Sequence, residues 1–391
     1  MPHSILTKLF AQYFAIRPAT QVRELFLSRA ILDFASSAVL IFEPIYLYTI
    51  GFSLQRILLF YIAVYGLYFV IIPLGGKITR AKGYEHGIIY STPFLVIYYL
   101  SLFGIPYSPI FTGTAIVSYA LFKALFWPGY HADFARFGSG KGTQGRELGT
   151  LVFLVSASSI LGPVVGGTIL LFFGFPVLFV VVSVLILAST IPLLLTPEVF
   201  EPRELSYLDA WKRLFKKEHR PRLLCFMGFG EELIAQAVWP VFIFVMVREF
   251  FNVGAIVSAA TMATAVMAVA IGRLTDTRGR HRMLGVGTFF TALSWFVRPA
   301  VASPLGVLGF DALYRSARNA LGIPMIALHY EWARSYSVTK GALFLEMAVV
   351  AGKLSAAILC LIIVTFFDPG WTQMFILAGL YSLLYLAHLR A

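Results

Sequence analysis

Gly76-Lys-Ile-Thr-Arg80-Ala-Lys-Gly83 returns 196 residues later as Gly272-Arg-Leu-Thr-Asp276-Thr-Arg-Gly279, and this echo governs how the rest of the chain is read. A second echo follows at an offset of 198: His131-Ala-Asp133-Phe134-Ala-Arg136 becomes His329-Tyr-Glu331-Trp332-Ala-Arg334. Asp33 also stands ahead of Pro44 much as Glu231 stands ahead of Pro240. Three landmarks in register indicate a duplicated architecture, because self-similarity at a long period reports structural repeats. Matching loops on one side of a membrane imply two parallel halves, related by an axis along the membrane normal, with a site near the midplane between them.

The chain's solvent is read from composition. Of its 391 residues 59% are hydrophobic and 13% charged, and the mean hydropathy is +0.81. A soluble domain is nearer half apolar and about a quarter charged. Apolar runs such as Ala38 to Ile50, Ile57 to Leu74 and Leu151 to Phe173 exceed what a soluble core needs, and a helix crosses hydrocarbon with roughly 20 such residues. Reading the runs between turn signals places twelve transmembrane helices near 27–49, 54–74, 87–104, 109–128, 148–173, 175–196, 222–247, 254–273, 283–301, 304–327, 341–366 and 371–388. The expected fold is therefore an all-α integral membrane protein of two pseudo-symmetric six-helix bundles, 25–196 and 222–391. Segment 1–24 precedes them as a cytoplasmic stretch, and 197–221 links them.

Net charge is +12, which in a soluble chain would raise the question of nucleic acid. Here the cations fall in alternate loops: Lys77, Arg80 and Lys82; Arg136, Lys141 and Arg146; Lys212 to Arg222; Arg273 to Arg282. By the positive-inside rule both termini and the central linker are cytoplasmic. Arg248 and Arg298 are the exceptions. No cleavable signal peptide is expected in Met1 to Glu24, where Lys8, Arg17 and Arg23 interrupt any apolar core. Within the linker, Leu205, Leu208, Trp211, Leu214 and Phe215 recur at helical spacing beside Lys212, Arg213, Lys216 and Lys217. That pattern predicts an amphipathic helix with its apolar stripe in the membrane interface. Ile5, Leu6, Leu9, Phe10, Tyr13 and Phe14 suggest a shorter one. Cys225 and Cys360 lie in apolar spans and read as buried filler.

Gly272-Arg-Leu-Thr-Asp276-Thr-Arg-Gly279-Arg280 resembles the signature loop of the major facilitator superfamily, G-x-L-x-D-x-x-G-R. The resemblance implies twelve spans, alternating access and a loop that helps close the cytoplasmic side. Asp276 is the acid of that loop and Arg334 its proposed partner. The first copy departs from the pattern, with Arg80 where the acid would stand, so Asp133 or Glu331 becomes the partner to expect for Arg80. Gly76, Gly83, Gly272 and Gly279 supply the turns and the close approach, and Arg136 and Arg280 complete the gating set. In the fifth span Gly149, Ser158, Gly162, Pro163, Gly166 and Gly167 resemble the superfamily's antiporter motif, with Ser158 in place of a glycine. Close helix packing explains the same small residues.

Charges inside spans cost about 2.5–3.5 kcal/mol each on insertion scales, so they face a cavity or pair with one another. They are Asp33 and Glu43 in the first span, Arg56 in the second, Lys123 in the fourth, Glu231 and Glu232 in the seventh. Asp311, Arg315 and Arg318 follow in the tenth, and Glu346 and Lys353 in the eleventh. The family resemblance implies that spans one, four, seven and ten line the cavity. Spacing pairs Arg29 with Asp33, Asp311 with Arg315 and Glu346 with Lys353, and leaves Arg318 without a local acid as a candidate to hold solute. Glu43 beside Pro44 is expected toward the outer mouth, as a solvated gate residue or a proton site, and Asp33 with Glu231 supplies matched acids to a shared midplane site.

Enzymatic readings find no reactive cluster. His131, His329, His86 and His281 belong to loop repeats and signature loops, and Gly138-Ser-Gly-Lys-Gly lacks the spacing of a phosphate-binding loop. No cofactor or metal is expected. The sequence reads as a proton-coupled secondary transporter of the plasma membrane, an antiporter or exporter, with a small-molecule solute, protons and lipids as partners, no nucleic acid, and a monomeric state. A uniporter, a solute-proton symporter and a non-transporting sensor are the alternatives.

Overall fold

The computed structural model describes residues 20–137, 144–195 and 205–390. The described chain is almost wholly helical: α1 Thr20–Leu40, α2 Phe42–Thr49, α3 Leu54–Lys82, α4 Tyr84–Gly104, α5 Ile110–Phe137, α6 Gln144–Ser189, α7 Tyr207–Leu214 and α8 Arg220–Met227. Then come α9 Gly230–Leu233, a π turn over Ile234–Val238, α10 Trp239–Val247, α11 Phe250–Arg278, α12 Arg280–Val297, α13 Pro304–Tyr336, α14 Val338–Phe366 and α15 Trp371–Leu383. Helices dominate because a segment in lipid must satisfy its own backbone polar groups. Ends are marked by ordinary chemistry. Ser53 caps α3 by accepting from the Arg56 N–H, and Ser303 does the same for α13 through Gly306 N–H. Gly83 (φ 116°) and Gly279 (φ 84°) make the turns inside the two signature loops, a backbone region open to glycine. Gly174 (φ 75°) breaks α6 at the boundary expected between the fifth and sixth spans.

Among the described residues eight segments are long and apolar enough to cross a membrane, and Trp371–Ala387 is a shorter apolar helix. Large apolar side chains cover the outside: Phe172 is 69% exposed, Leu195 68% and Val266 73%. Such a surface would aggregate in water, and lipid is the solvent it fits. The chain is a multi-pass membrane protein.

Among the described residues the two sequence halves meet at several helix pairs. α6 packs on α11, α3 and α5 pack on α14, and α2 meets α10. Several approaches leave no room for a side chain: a Cβ on Gly75 would lie 1.8 Å from the Ala124 carbonyl oxygen, and one on Gly254 2.2 Å from that of Pro163.

The linker helix departs from expectation. In α7 the apolar stripe divides: Leu205 and Leu214 are buried against the protein and Trp211 packs on Phe69 edge-to-face, while Leu208 and Phe215 stay exposed. α7 therefore docks on α3 and α14 instead of lying wholly in the interface. Outside the membrane spans, Arg213 hydrogen-bonds Asp209 one turn away and holds its carboxyl below the usual range. The N-terminal stretch Ile5 to Phe14 lies outside the described residues.

A charged cavity between the helices

α1 contributes the first pair. Arg29 Nε donates to Asp33 Oδ2 at 2.7 Å, four residues apart on one face, as the spacing predicts. The guanidinium lies 4.4 Å from the Tyr130 ring centre of α5, a cation–π contact that favours keeping it desolvated. Asp33 borders a cavity of about 330 Å³ enclosed by α1, α3, α4, α5, α9, the π turn, α13 and α14. Its walls are largely aromatic, with Tyr65, Tyr99, Tyr119, Phe122, Trp127 and Phe229 among them. Apolar walls with a few polar groups are the usual make-up of a small-molecule site.

Into this space project Lys123 from α5, Glu232 from α9, and Glu346 and Lys353 from α14. The Lys123 ammonium sits 4.2 Å from the Tyr119 ring centre and 5.4 Å from that of Tyr65. Lys353 Nζ pairs with Glu232 Oε2 at 3.3 Å. Glu346 Oε2 accepts from the Tyr68 hydroxyl at 2.6 Å, and its Oε1 meets His131 Nε2 at 2.9 Å. Glu346 and Lys353 are therefore not each other's partners, contrary to the spacing. Residues seven apart share a helix face, but each side chain here is drawn to a neighbouring helix.

Behind the cavity Glu231 is fully buried. It accepts from Trp295 Nε1 at 2.9 Å, Tyr314 at 2.8 Å and Tyr385 at 3.2 Å, and Arg318 Nε reaches it at 2.9 Å. Two expectations change. Arg318 has its acids on another helix, with Glu232 at 4.0 Å as well. Glu232, not Glu231, joins Asp33 at the cavity, because successive residues point about 100° apart around a helix. The π turn follows directly, and one extra residue per turn re-aims side chains at functional sites. Gln236, within it, donates to Glu232 at 2.9 Å.

A second space of about 250 Å³ shares Leu40, Glu232 and Gln236 with the first and is lined by Asp311 and Arg315, joined at 2.6 Å. Asp311 also accepts from Trp239 Nε1 at 3.1 Å and lies 3.5 Å from Arg298. Arg298, an outlier in loop charge, is a buried guanidinium between Trp239 (4.0 Å) and Trp295 (3.8 Å).

Other predicted residues lie elsewhere. Glu43 is not a solvated mouth residue: it is 1% exposed and accepts from Tyr99 at 2.8 Å and Tyr98 at 3.2 Å. Arg56 is exposed in the first turn of α3, away from the cavity, because the turn Ile50 to Ser53 ends the preceding helix just before it. In the loops, Arg80 reaches the Tyr84 hydroxyl at 2.7 Å, and Tyr84 meets Thr339 at 2.7 Å, while Glu331 pairs with Arg280 at 2.5 Å. Arg80 thus tethers to α14 through hydroxyls and does not take Glu331 as its acid. A Cβ on Gly76 would stand 2.5 Å from Leu343 of α14. Arg334 is exposed, and the side-chain surroundings of Asp133, Arg136, Gly149, Gly272 and Asp276 fall outside the described residues. In the fifth-span motif, Ser158 donates to the Ala30 carbonyl at 3.1 Å, Gly162 and Gly166 abut α1, and Gly167 faces Phe250. His131 is the functional candidate that loop position concealed.

With this geometry in hand, the chain can be set beside known proteins. No family model matches it. It is 31% identical over 192 residues to the multidrug resistance efflux pump PmrA of Streptococcus pneumoniae, and 28% identical over 184 residues to the PmrA homolog of Lactococcus lactis. Those matches cover 46% and 44% of this chain, and the chain spans about half the length of each relative (48% and 45%). A POT family transporter solved with 5-aminolevulinic acid superposes with a TM-score of 0.70, covering 94% of this chain and 95% of that one at 13% identity. The chain thus shares the fold of a transporter and, over about half its length, is similar in sequence to efflux pumps. These relatives are named as pumps and a transporter, not as enzymes, in agreement with the transporter reading of the sequence.

Proposed function

We propose that the chain is a secondary active transporter that moves a small organic solute by alternating access, coupled to protons and running as an exporter. The observation that carries this reading is the aromatic cavity: it lies deep in an apolar helical body and receives Asp33, Lys123, Glu232, Glu346 and Lys353 from helices of both sequence halves. Charges kept inside such spans are expensive and belong to solute or ion pathways. The matched pumps are named for multidrug efflux, which favours export, and the aromatic rings of the cavity wall favour an apolar or aromatic solute. The twelve-span arrangement belongs to this proposal, with bundles 25–196 and 222–391 joined by 197–221 and both termini in the cytoplasm. α13, which carries Asp311, Arg315 and Arg318, then counts as a span because its charges find partners inside the protein. The plasma membrane as location and a monomeric state complete the reading.

The experiment is flux in proteoliposomes with and without an imposed pH gradient. A gradient should drive accumulation of an aromatic solute above its equilibrium level. Equal fluxes with and without the gradient would point instead to a uniporter, and no flux of any tested solute to a sensor on the same scaffold.

A further inference from the structure

We propose that His131 carries the transported proton, shared with Glu346, at the joint between α5 and helices α13 and α14. The inference rests on the proton-coupled reading above and names a residue for it. His131 Nε2 lies 2.9 Å from Glu346 Oε1, and Nδ1 lies 2.7 Å from the Tyr330 hydroxyl. Both His131 and Glu346 line the cavity, with side chains 13% and 8% exposed. The imidazole stacks on Trp127, with ring centres 5.5 Å apart and planes 24° from parallel.

What sets this pair apart is the kind of partner each acid has. Asp33 is held by Arg29 and Glu232 by Lys353, both permanent cations in ordinary conditions. Among the described residues, Glu346 is held by an imidazole and by the Tyr68 hydroxyl. Imidazole is the side chain whose charge changes near neutral pH. The charged and titratable groups around it are Arg29 and Asp33 on α1, Tyr68 on α3, Tyr130 on α5, Tyr330 on α13, and Glu346 and Lys353 on α14.

The network tolerates every proton count without an orphaned polar group. As imidazolium, His131 donates from Nε2 to Glu346 and from Nδ1 to Tyr330. Transfer breaks the Nε2–H bond and forms an O–H bond on Glu346 Oε1, which then donates back to Nε2. The ion pair becomes a neutral pair. Loss of the Nδ1 proton from the imidazolium to cavity water instead leaves a carboxylate beside a neutral imidazole, which keeps Nε2–H toward Glu346 while the Tyr330 hydroxyl turns to donate to Nδ1. Because the bridge joins residues 131 and 346, from opposite sequence halves, its ionic strength changes with the proton it holds. That links protonation to how tightly α5 holds α14.

The test uses the full chain in proteoliposomes with ethidium, an aromatic cation suited to these walls, as the probe. His131→Gln should reduce pH-gradient-driven ethidium accumulation roughly ten-fold or more and lower downhill flux by a clearly smaller factor, so that the ratio of driven to downhill flux falls. Glu346→Gln should do the same, and Tyr330→Phe should keep drive with a displaced pH profile. If the parent is driven by the gradient and His131→Gln is driven equally, His131 is not the carrier and the transporter reading stands. A parent that ignores the gradient overturns the coupling reading and this proposal with it. Should ethidium not be carried, or should His131→Gln not fold, the stacked indole decides. Trp127 fluorescence of purified parent should change with pH, and Glu346→Gln should displace that change. A signal flat in pH, or identical in Glu346→Gln, overturns the proposal.

Discussion

Glu231 and Arg298 illustrate two ways a buried charge survives in this molecule. Glu231 depends on one cation, Arg318, backed by three neutral donors from Trp295, Tyr314 and Tyr385. Removing the cation leaves a buried carboxylate uncompensated, a loss of about 3–5 kcal/mol when one partner of a buried pair goes. Asp311 has Arg315 and Trp239 as well as Arg298, so losing Arg298 leaves it served. What goes there is chiefly the contact of the guanidinium with two indoles, about 2 kcal/mol for a desolvated cation–π pair. Arg318→Leu should therefore lower thermal stability in detergent by more than Arg298→Leu does, and the reverse order would show that Glu231 is neutral in the folded protein. For Asp33 the expected outcome is functional: Asp33→Asn should abolish gradient-driven accumulation while retaining solute exchange. Accumulation equal to the parent's would remove Asp33 from the coupling path and leave the His131–Glu346 pair to account for it.

At the scale of elements, the fifth-span motif acts first through contact. A Cβ on Gly166 would sit 1.9 Å from the Ala38 carbonyl oxygen, with backbone that cannot swing aside as a side chain can. Gly166→Ala should force α6 away from α1 and cost about 1–3 kcal/mol, the range for overpacking, measurable as a lower melting temperature. If the melting temperature holds and only transport slows, the motif serves interconversion of states more than packing. The linker helix α7 is held by Trp211 on Phe69 and by the buried Leu214. Trp211→Ala should raise amide hydrogen exchange within 207–214 and leave the bundle's exchange unchanged. The Asp209–Arg213 bond adds a small, exposed contribution, a few tenths of a kcal/mol at most. Because the Asp209 carboxyl is held below its usual range, that contribution is present at neutral pH and fades as pH falls through the folded value.

At the scale of the whole molecule, the proposed orientation makes a prediction that needs no substrate. Cys225 and Cys360 are both buried, so the parent should label weakly with a membrane-impermeant maleimide. Ala81→Cys, exposed at the end of α3, should label from the cytoplasmic face, and Tyr107→Cys, at a position 75% exposed, from the opposite face. Labelling of both from one side would overturn the assignment of 87–104 as a membrane-crossing span.

The sequence by itself determined the solvent and the approximate helices, because long apolar runs are local signals, and its repeated motifs are what the proposed duplicated plan rests on. It also announced the short-range pairs Arg29 with Asp33 and Asp311 with Arg315, whose partners lie one turn apart and were found so. Tertiary structure decided the rest. Helices apolar all round carry no phase in their sequence, so nothing local told that Glu232 faces the cavity while Glu231 turns to Arg318. Glu346 and Lys353 share a face, yet His131 and Glu232 hold them, because partners on other helices offer shorter contacts than seven residues of the same helix allow. His131 read as part of a loop repeat until α5 carried it to the cavity wall beside α14. In lipid, where a charge has few partners available, the arrangement of neighbouring helices decides which one it meets.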